Sequence, residues 1–274
     1  AVRCLLIVFP YLCVFYVCRT AHRRRRVSSS AGSDVYKRPF MGGLMPVYDS
    51  AMKANAHVPA SALVYEELRS RIISLVLPPE TTLVRAELAD SFKVSQSPVR
   101  EAIMRLEQDG LVASYPQSRT VVTKIDVARI REEHFLRVAA ECEVVRQVAE
   151  MGETADVVKA KGIIKMQEAL AGDIEQIDLF KQLDETFHAA LFNGVNQSNL
   201  HVQVTARSGH LARVRMLDLP RAGKMLSVLE GHKAVIAAIQ SGDGNLASSE
   251  MRQHLSGTME RLPQIVEENR ELFS

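Results

Sequence analysis

The spacing of apolar residues between positions 61 and 110 predicts three helices. Apolar side chains recur every three or four residues, the period that gathers them on one face of an α-helix. The predicted helices cover residues 61–76 and 82–92, and a third begins after Ser95 and ends before Gly110. Two consecutive prolines end the first helix, because a proline in a helix interior removes a hydrogen bond and clashes with the preceding turn.

The third of these helices has distinct signals at its ends and on its two faces. Ser95 is a favourable N-cap residue, and Gly110 suits a left-handed conformation after the last turn. Val99, Ile103 and Leu106 form one apolar stripe. On these residues alone, a solvated surface helix is an equally good interpretation. The opposite face carries side chains of the types that contact base edges and phosphates, namely Gln96, Ser97, Arg100 and Arg105.

Two short β-strands are predicted after the third helix. Residues 111–115 and 120–124 have the pattern of short strands, the second rich in β-branched side chains, and flank a turn at Pro116-Gln117-Ser118-Arg119. Three helices and a β-hairpin make a winged helix-turn-helix over residues 58–125. In such a domain the second helix braces the third, which enters the major groove of DNA. This context favours a DNA-recognition helix over a plain surface helix.

The remaining residues, 126–274, are predicted to be helical throughout. Apolar residues recur at a spacing of three to four, and polar or glycine residues between the segments supply caps and breaks. No strand pattern occurs here, so the prediction is an all-α bundle. Its helices are predicted at Val127–Met151, Asp156–Ala171, Ile174–Phe192, Ser198–Leu217, Lys224–Gln240 and Asn245–Glu260, with a shorter last helix at Ile265–Phe273.

Four residues of this bundle form a candidate metal site. Asp184 and His188 are four positions apart, so both project from one face of a helix. His232 and His254 lie on two later helices, and an antiparallel turn near Gly242 would place their imidazoles at similar heights. Three imidazoles and one carboxylate suit a borderline divalent metal such as zinc or nickel. By spacing alone, a hydrogen-bonded surface pair and ordinary structural histidines are the competing interpretation.

Composition narrows the class of protein without identifying a partner. The chain has 274 residues, of which 47% are hydrophobic and 5% aromatic, with no Trp. This composition is ample for a buried core. The net charge is +2, but residues 1–60 carry 9 Lys and Arg against 2 Asp and Glu, while residues 126–274 carry 17 against 22. Overall charge therefore gives no argument for DNA binding, which must rest on where a few charges lie.

Residues 1–57 differ from the rest of the chain. An apolar run from Cys4 to Cys18 is followed by four consecutive arginines, and it is short for a membrane span, which needs about 20 residues. Three interpretations stay open: a translated stretch upstream of the true start, a membrane anchor, and a targeting segment. We expect residues 1 to about 55 to be poorly ordered or absent from the working protein. The remaining cysteine, Cys142, gives no disulfide framework, which suits a reducing cytoplasm.

A set of residues spread evenly over positions 61–124 carries a family resemblance. The set consists of Pro78-Pro79, Leu88-Ala89, Val94-Ser95, Pro98-Val99-Arg100-Glu101-Ala102, Arg105-Leu106, Asp109-Gly110-Leu111-Val112 and Pro116-Gln117. In these positions the chain resembles the DNA-binding domain of the GntR family of bacterial transcription regulators. The resemblance implies DNA contacts from Ser95, Gln96, Ser97, Arg100 and Arg105.

Four positions depart from the pattern of that family. Relatives usually have Arg at Gln96, Gly at Glu80, Glu at Arg85 and Gly at Arg119. Because Gln pairs best with adenine and Arg with guanine, the operator is expected to differ at the base that Gln96 meets. Arg85 and Arg119 are candidates for compensating contacts to phosphate or base.

The bundle carries a second resemblance. Its residues are Arg137 to Glu141, Asp184, Phe187-His188, Gly194, Asn196, His232, Ala238-Ile239, Gly242-Asp243, Ala247, Met251 and His254-Leu255. In these positions the chain resembles the FCD ligand-binding domain of the FadR subfamily. In metal-containing members an Asp, the His four residues on and two later His are the ligands. The resemblance therefore implies a metal bound by Asp184, His188, His232 and His254.

Relatives of this type bind small carboxylic acids at the metal, which implies such an effector here. Arg137 is the first candidate for a second contact to the acid, because a guanidinium fork matches a carboxylate. An intrahelical pair with Glu133 or Glu141 is the alternative for this residue. Arg213 is a further candidate, as is Arg215, and both are weaker.

Together these features predict a mostly α protein with a winged helix-turn-helix over residues 58–125 and an all-α FCD bundle over 126–274. The predicted function is a cytoplasmic, homodimeric, effector-responsive repressor that binds a short palindromic operator in double-stranded DNA, without stable membrane association. A metal-dependent enzyme is one alternative, although no general-base motif such as His-Glu-x-x-His is present. A membrane-tethered sensor that uses residues 4–18 is the other.

Overall fold

The computed structural model of the protein describes residues 58–115 and 119–274. The predictions for residues 1–57, and the hairpin turn at positions 116–118, lie outside this described part. The N-terminal part of the described chain folds as a winged helix-turn-helix, as predicted. Its elements are α1 (Ala60–Ile73), α2 (Arg85–Phe92), α3 (Gln96–Gln108), β1 (Val112–Ser114) and β2 (Thr120–Val122). The two strands pair antiparallel, with Ala113 opposite Val121.

Helix α3 ends with a Schellman motif, as the glycine in its sequence predicts. Gly110 adopts a φ of 74°, which glycine tolerates at little cost. Its N–H donates to the carbonyl of Glu107, and the N–H of Leu111 donates to the carbonyl of Leu106. At the other end, Ser95 takes the extended N-cap conformation, but its hydroxyl makes no capping hydrogen bond.

The predicted start of α2 at residue 82 is wrong, because the residues before Arg85 pair with the wing. Thr82 forms a bridge with Val121, and the N–H of Leu83 donates to the carbonyl of Thr120 at 2.8 Å. The chain reaches this position through Glu80, whose φ of 69° lies in the left-handed region. A non-glycine residue is disfavoured there, which explains why relatives are expected to carry Gly at this position.

The core of the winged domain consists of the apolar stripes predicted from the sequence. Val99, Ile103 and Leu106 of α3 are fully or almost fully buried, and they pack against Leu68 and Ile72 of α1. This packing fixes α3 on the body of the domain and leaves its polar face exposed.

The C-terminal domain is an all-α bundle, as predicted. Its first helix, α4, begins at Val127 after an N-cap in which Asp126 Oδ1 accepts from the amide of Ala128 at 2.8 Å. The helices are α4 (Val127–Met151), α5 (Ala155–Leu170), α6 (Ile177–Gly194), α7 (Ser198–Ala206), α8 (Gly209–Asp218), α9 (Lys224–Gln240) and α10 (Gly244–Glu268), with 3-10 turns at Ile174–Gln176 and Arg270–Leu272.

Two helix boundaries in the bundle differ from the prediction. The helix predicted at Ser198–Leu217 is divided into α7 and α8, because Gly209 starts a new helix against the winged domain. A Cβ at Gly209 would lie 2.7 Å from the side chain of Leu111, so any larger residue would force that side chain to shift. Conversely, the predicted end at residue 260 is wrong, since α10 continues through Pro263 to Glu268. The separate last helix predicted at Ile265–Phe273 is wrong for the same reason, because its first residues belong to α10 and Arg270–Leu272 form a 3-10 turn. A proline interior to a helix costs one hydrogen bond but does not always end the helix.

A third group of buried apolar residues joins the two domains. Ile125, at the junction, donates its N–H to the carbonyl of Leu272 at 2.8 Å and accepts from the N–H of Ser274 at 3.1 Å. Its side chain packs with Ile130, Leu211 and the C-terminal Phe273. The C-terminus thus ties the start of the bundle to the end of the wing.

No helix in residues 58–115 and 119–274 combines the length and continuous apolar character that crossing a membrane requires.

Replacing Ile103 by Ala should destabilise the winged domain by about 2–5 kcal/mol, because a buried side chain is lost and a cavity is left. Ile103 is 2% exposed, whereas its neighbour Met104 is 48% exposed. The matched control, Met104→Ala, should change the free energy of unfolding by less than about 0.5 kcal/mol. Urea unfolding followed by circular dichroism measures both, and equal effects would contradict the packing described for α3.

Candidate metal centre and DNA-reading surface

The four predicted ligand residues meet in the interior of the bundle. Asp184 and His188 lie on α6, His232 on α9 and His254 on α10, and one ligand atom from each lies within 4.8 Å of the others. His232 Nε2 is 3.4 Å and His188 Nε2 is 3.9 Å from Asp184 Oδ1. The turn between α9 and α10 thus places the two late histidines at similar heights, as the sequence predicts.

Two further polar residues orient the histidine rings. The Nδ1 atom of His232 lies 2.8 Å from Gln167 Oε1 on α5, which favours the tautomer with the proton on Nδ1 and a free lone pair on Nε2. The Nδ1 atom of His188 lies 2.5 Å from Glu141 Oε2 on α4. Such partners on the outer nitrogen orient metal-bound imidazoles in known sites.

Neighbouring side chains fix the rings in place. Phe187 stacks on His232, with ring centroids 3.9 Å apart and planes 22° apart. Gly231 precedes His232 on α9, and a Cβ there would lie 2.5 Å from Nδ1 of His254. A glycine at this position therefore allows the imidazole of His254 to approach α9 closely.

The protonation of the cluster suits metal coordination. Burial raises the pKa of the Asp184 carboxyl, but Arg215 together with His232 and His188 outweighs this effect and holds that pKa well below its usual range. Burial lowers the pKa of His232 to about 4 and that of His254 well below its usual value. At neutral pH Asp184 thus offers a carboxylate, and His232 and His254 offer unprotonated imidazoles, the forms that bind a metal.

The inner atoms of the cluster lack protein partners. Asp184 Oδ1 and Nε2 of both His188 and His232 are buried and have no hydrogen-bond partner among the described residues. Buried polar atoms are almost always satisfied, because leaving them unpaired costs free energy. A divalent cation between these atoms would satisfy all three at once. The residues present therefore fit a metal of the zinc or nickel type.

A cavity of about 240 Å³ adjoins the cluster. Asp184 and His188 form part of its wall, together with Arg137 and Arg215. Arg215 donates to Asp184 Oδ2, and Arg137 donates to Glu141 Oε1 at 2.5 Å. Arg137 therefore makes the intrahelical pair with Glu141 and also lines the cavity, and the effector contact expected of it stays a prediction.

Arg213 does not line this cavity, so its assignment as an effector contact needs correction. Residues two apart on a helix point in different directions, and Arg213 points away from Arg215 toward the winged domain. Its Nη1 donates to the carbonyl of Thr123 at 2.7 Å, and its Nη2 lies 3.1 Å from His210 Nδ1. His210 Nε2 in turn lies 3.3 Å from the carbonyl of Gly110.

Glu133 on α4 anchors the same contact region. Its carboxylate accepts from the amides of His210 at 3.2 Å and of Leu211 at 2.7 Å, at the N-terminus of α8. The positive end of the helix dipole favours a carboxylate there. These amides and Arg213 lower the pKa of Glu133, but burial outweighs them and raises that pKa to about 7.

The predicted DNA contacts all lie on exposed positions of the winged domain. Ser95, Gln96, Ser97 and Arg100 follow one another on the first turns of α3, and Arg85 begins α2. Two arginines also have aromatic partners within the domain. The guanidinium of Arg105 lies 3.8 Å from the ring centroid of Tyr65 on α1, and that of Arg119 lies 6.0 Å from that of Tyr115.

Sequence reasoning missed the roles of Glu141 and Gln167 and gave Arg215 too little weight. Glu141 lies four residues after Arg137 on α4, a spacing that predicts their pairing but not the contact with His188. Gln167 is fully buried on α5. In the sequence it is a polar residue on an otherwise apolar helical face, and this pattern could have indicated a buried polar contact.

Comparison with known proteins agrees with the fold. Residues 60–122 match the family model of the bacterial regulatory proteins of the gntR family, and residues 134–257 match the FCD domain. The HTH-type transcriptional repressor RspR of Escherichia coli is 30% identical over 220 residues, which cover 80% of this chain and 96% of the relative. The gluconate operon transcriptional repressor of Bacillus subtilis is 23% identical over 209 residues, 72% of this chain and 82% of that protein.

The solved structure of E. coli McbR/YncC has a TM-score of 0.62 with 20% identity, and the match covers 76% of this chain and 98% of that one. This likeness concerns the fold alone. The winged domain and the helical bundle together define a DNA-binding transcription regulator with an effector domain, and not an enzyme. The chain belongs to the GntR family, with a C-terminal FCD domain as in the FadR subfamily.

The raised pKa of Glu133 predicts a pH-dependent contribution to stability. A folded-state pKa raised from 4.5 to about 7 means that the folded protein binds more protons between these values. The contribution of Glu133 to the free energy of unfolding should therefore fall as pH rises from about 4.5 to about 7. In Glu133→Gln this component should be absent.

The measurement is urea unfolding at intervals of pH for the wild type and the variant. Burial lowers the pKa of His210 to about 4, so this residue makes the free energy of unfolding rise with pH. It does so in both proteins, and its effect therefore cancels in the difference between the two curves. A difference that does not change between pH 4.5 and 7 would contradict the assignment.

Proposed function

We propose that this protein is a repressor that senses a small carboxylic acid at a metal held by Asp184, His188, His232 and His254. The observation that carries the proposal is the set of buried, unpartnered ligand atoms beside a cavity lined by Arg137 and Arg215. A cation would pair with the unpartnered ligand atoms, and the guanidinium groups of the cavity match the carboxylate of an acid. Zinc and nickel both suit three imidazoles and one carboxylate.

Four protein ligands leave coordination positions for the effector on a five- or six-coordinate metal. A carboxylate oxygen of the acid would occupy such a position. Arg137 would hold the other end of the ligand, as its place in the cavity wall allows. The effector changes DNA binding only if it binds one arrangement of the protein better than another.

Helix α8 is the element best placed to transmit this signal. Arg215 on α8 contacts Asp184 of the metal cluster, while His210 and Arg213 on the same helix contact backbone carbonyls of the winged domain. A displacement of Arg215 when an acid binds would therefore move groups that hold the end of α3 and the wing.

The protein is proposed to bind its operator as a homodimer in the cytoplasm. Two copies of α3 would read the half-sites of a short palindrome, since a two-fold symmetric protein matches a two-fold symmetric site. Phe135 on α4 is 74% exposed and Leu136 beside it is 37% exposed, which supports association through the bundle. Repression is proposed because relatives such as RspR and the gluconate operon regulator are named repressors.

Replacing Arg100 by Ala should weaken operator binding by about 1–3 kcal/mol, the value of a good base contact. Arg131→Ala is the control, since it removes an exposed arginine of α4 outside the winged domain, and it should leave operator affinity unchanged. Fluorescence anisotropy with an operator selected from random DNA measures both. Unchanged affinity of the Arg100 variant would contradict its role in DNA reading.

Replacing His232 and His254 together by Ala should abolish metal binding, because two of the four ligands are lost. His134→Ala is the control, since His134 is a half-buried histidine of the bundle outside the cluster. Mass spectrometry of metals after reconstitution with zinc or nickel should find about one ion per chain in the wild type and control, and none in the double variant. A wild-type protein without stoichiometric metal would refute the site.

A further inference from the structure

Arg69 belongs to the winged domain, yet it lines the cavity beside the metal cluster. We propose that Arg69 binds a second anionic group of the effector, so that the cavity selects small dicarboxylic acids over monocarboxylic acids and the winged domain contacts the ligand directly. This inference rests on the proposed function, because it assumes that one carboxylate of the acid meets the metal.

The position of Arg69 links the two domains. It lies on α1, and its Nη2 donates to the carbonyl of Thr205 at 2.7 Å and to that of Ala206 at 3.4 Å. These carbonyls end α7, where the helix dipole favours a positive charge. The guanidinium is thereby held at the boundary between α1 and the bundle, with one nitrogen committed to α7.

Arg69 keeps hydrogen-bonding capacity that no protein group uses, which makes it available to a ligand. Its Nε is buried and has no hydrogen-bond partner among the described residues. The other long basic side chains of the cavity wall face carboxylates: Arg137 pairs with Glu141, Arg215 with Asp184, and Lys181 lies 4.0 Å from Glu185. Among the described residues that line the cavity, Arg69 is the arginine without a carboxylate partner.

The chemistry of the cavity points to a small diacid. One carboxylate would meet the metal, and a second would meet the guanidinium of Arg69 through charge-assisted hydrogen bonds, which are stronger than neutral ones. A monoacid of equal length would leave the guanidinium of Arg69 without a carboxylate partner and would gain nothing from that charge. A volume of about 240 Å³ is below the usual range of small-molecule pockets, about 300–1,000 Å³, and therefore selects a short ligand.

A diacid in this position would also couple binding to the arrangement of the winged domain. It would join the metal centre in the bundle to Arg69 on α1. A ligand that contacts both domains favours the arrangement in which both contacts form. A monoacid would reach the metal but would lack this direct contact with the DNA-binding domain.

The test is isothermal titration of the zinc-loaded full chain with acids matched in length. The pairs are propionate and malonate, butyrate and succinate, valerate and glutarate, and hexanoate and adipate. We expect the wild type to bind at least one diacid about 10- to 100-fold more tightly than its monoacid, the value of a charge-assisted hydrogen bond. In Arg69→Gln this preference should fall to about twofold or less, with monoacid affinity and zinc content unchanged.

Arg71→Gln is the matched control, since Arg71 lies on the same helix, pairs with Glu67 at 2.7 Å and is outside the cavity wall; it should keep the preference. Equal binding of mono- and diacids by the wild type, or a preference that survives in Arg69→Gln, would overturn this inference and leave the proposed function standing. An equal loss of monoacid and diacid affinity in Arg69→Gln would assign Arg69 to the fold of the cavity and also overturn it. If no acid binds the zinc-loaded wild type, the proposed acid sensing itself fails.

Discussion

The buried carboxylate of Asp184 constrains the whole bundle. It is 3% exposed, and a buried charge is costly unless other groups compensate for it. Arg215 on α8 supplies that compensation, and the imidazoles of His188 and His232 lie within 4 Å of the same carboxylate. Because these partners lie on three different helices, α6, α8 and α9 must converge at this point. The same convergence leaves Asp184 Oδ1 without a hydrogen-bond partner among the described residues, and this unpaired oxygen is what makes the four residues fit a divalent cation.

Helix α8 connects this constraint to the DNA-binding domain. It begins at Gly209, where the absence of a side chain lets it pack on Leu111 just after the end of α3. Glu133 holds its first amides, and His210 and Arg213 bind carbonyls of the winged domain. Two residues further on, Arg215 contacts Asp184. One face of this short helix thus contacts the four candidate ligand residues, and another face contacts the end of the recognition helix.

Much of this fold follows from patterns that lie within short segments. The apolar stripe Val99, Ile103 and Leu106 predicts the buried face of α3, and Gly110 predicts its end, because both depend on local backbone geometry. The boundaries that were predicted wrongly depend on distant residues. Residues before Arg85 are not helical because they pair with β2, and the break before Gly209 exists because Leu111 lies against it. Neither partner is visible in the local pattern.

The sequence by itself determined which residues are chemically able to hold a metal. Asp184 and His188 share one face of a helix, and the two later histidines lie on an antiparallel pair of helices. Tertiary structure alone decided which other side chains reach the cluster. It brought Arg69 from the winged domain and Arg215 to the cavity and turned Arg213 toward Thr123. The physical reason is that periodicity reports how each helix divides into faces, whereas the packing of helices far apart in sequence determines which faces meet.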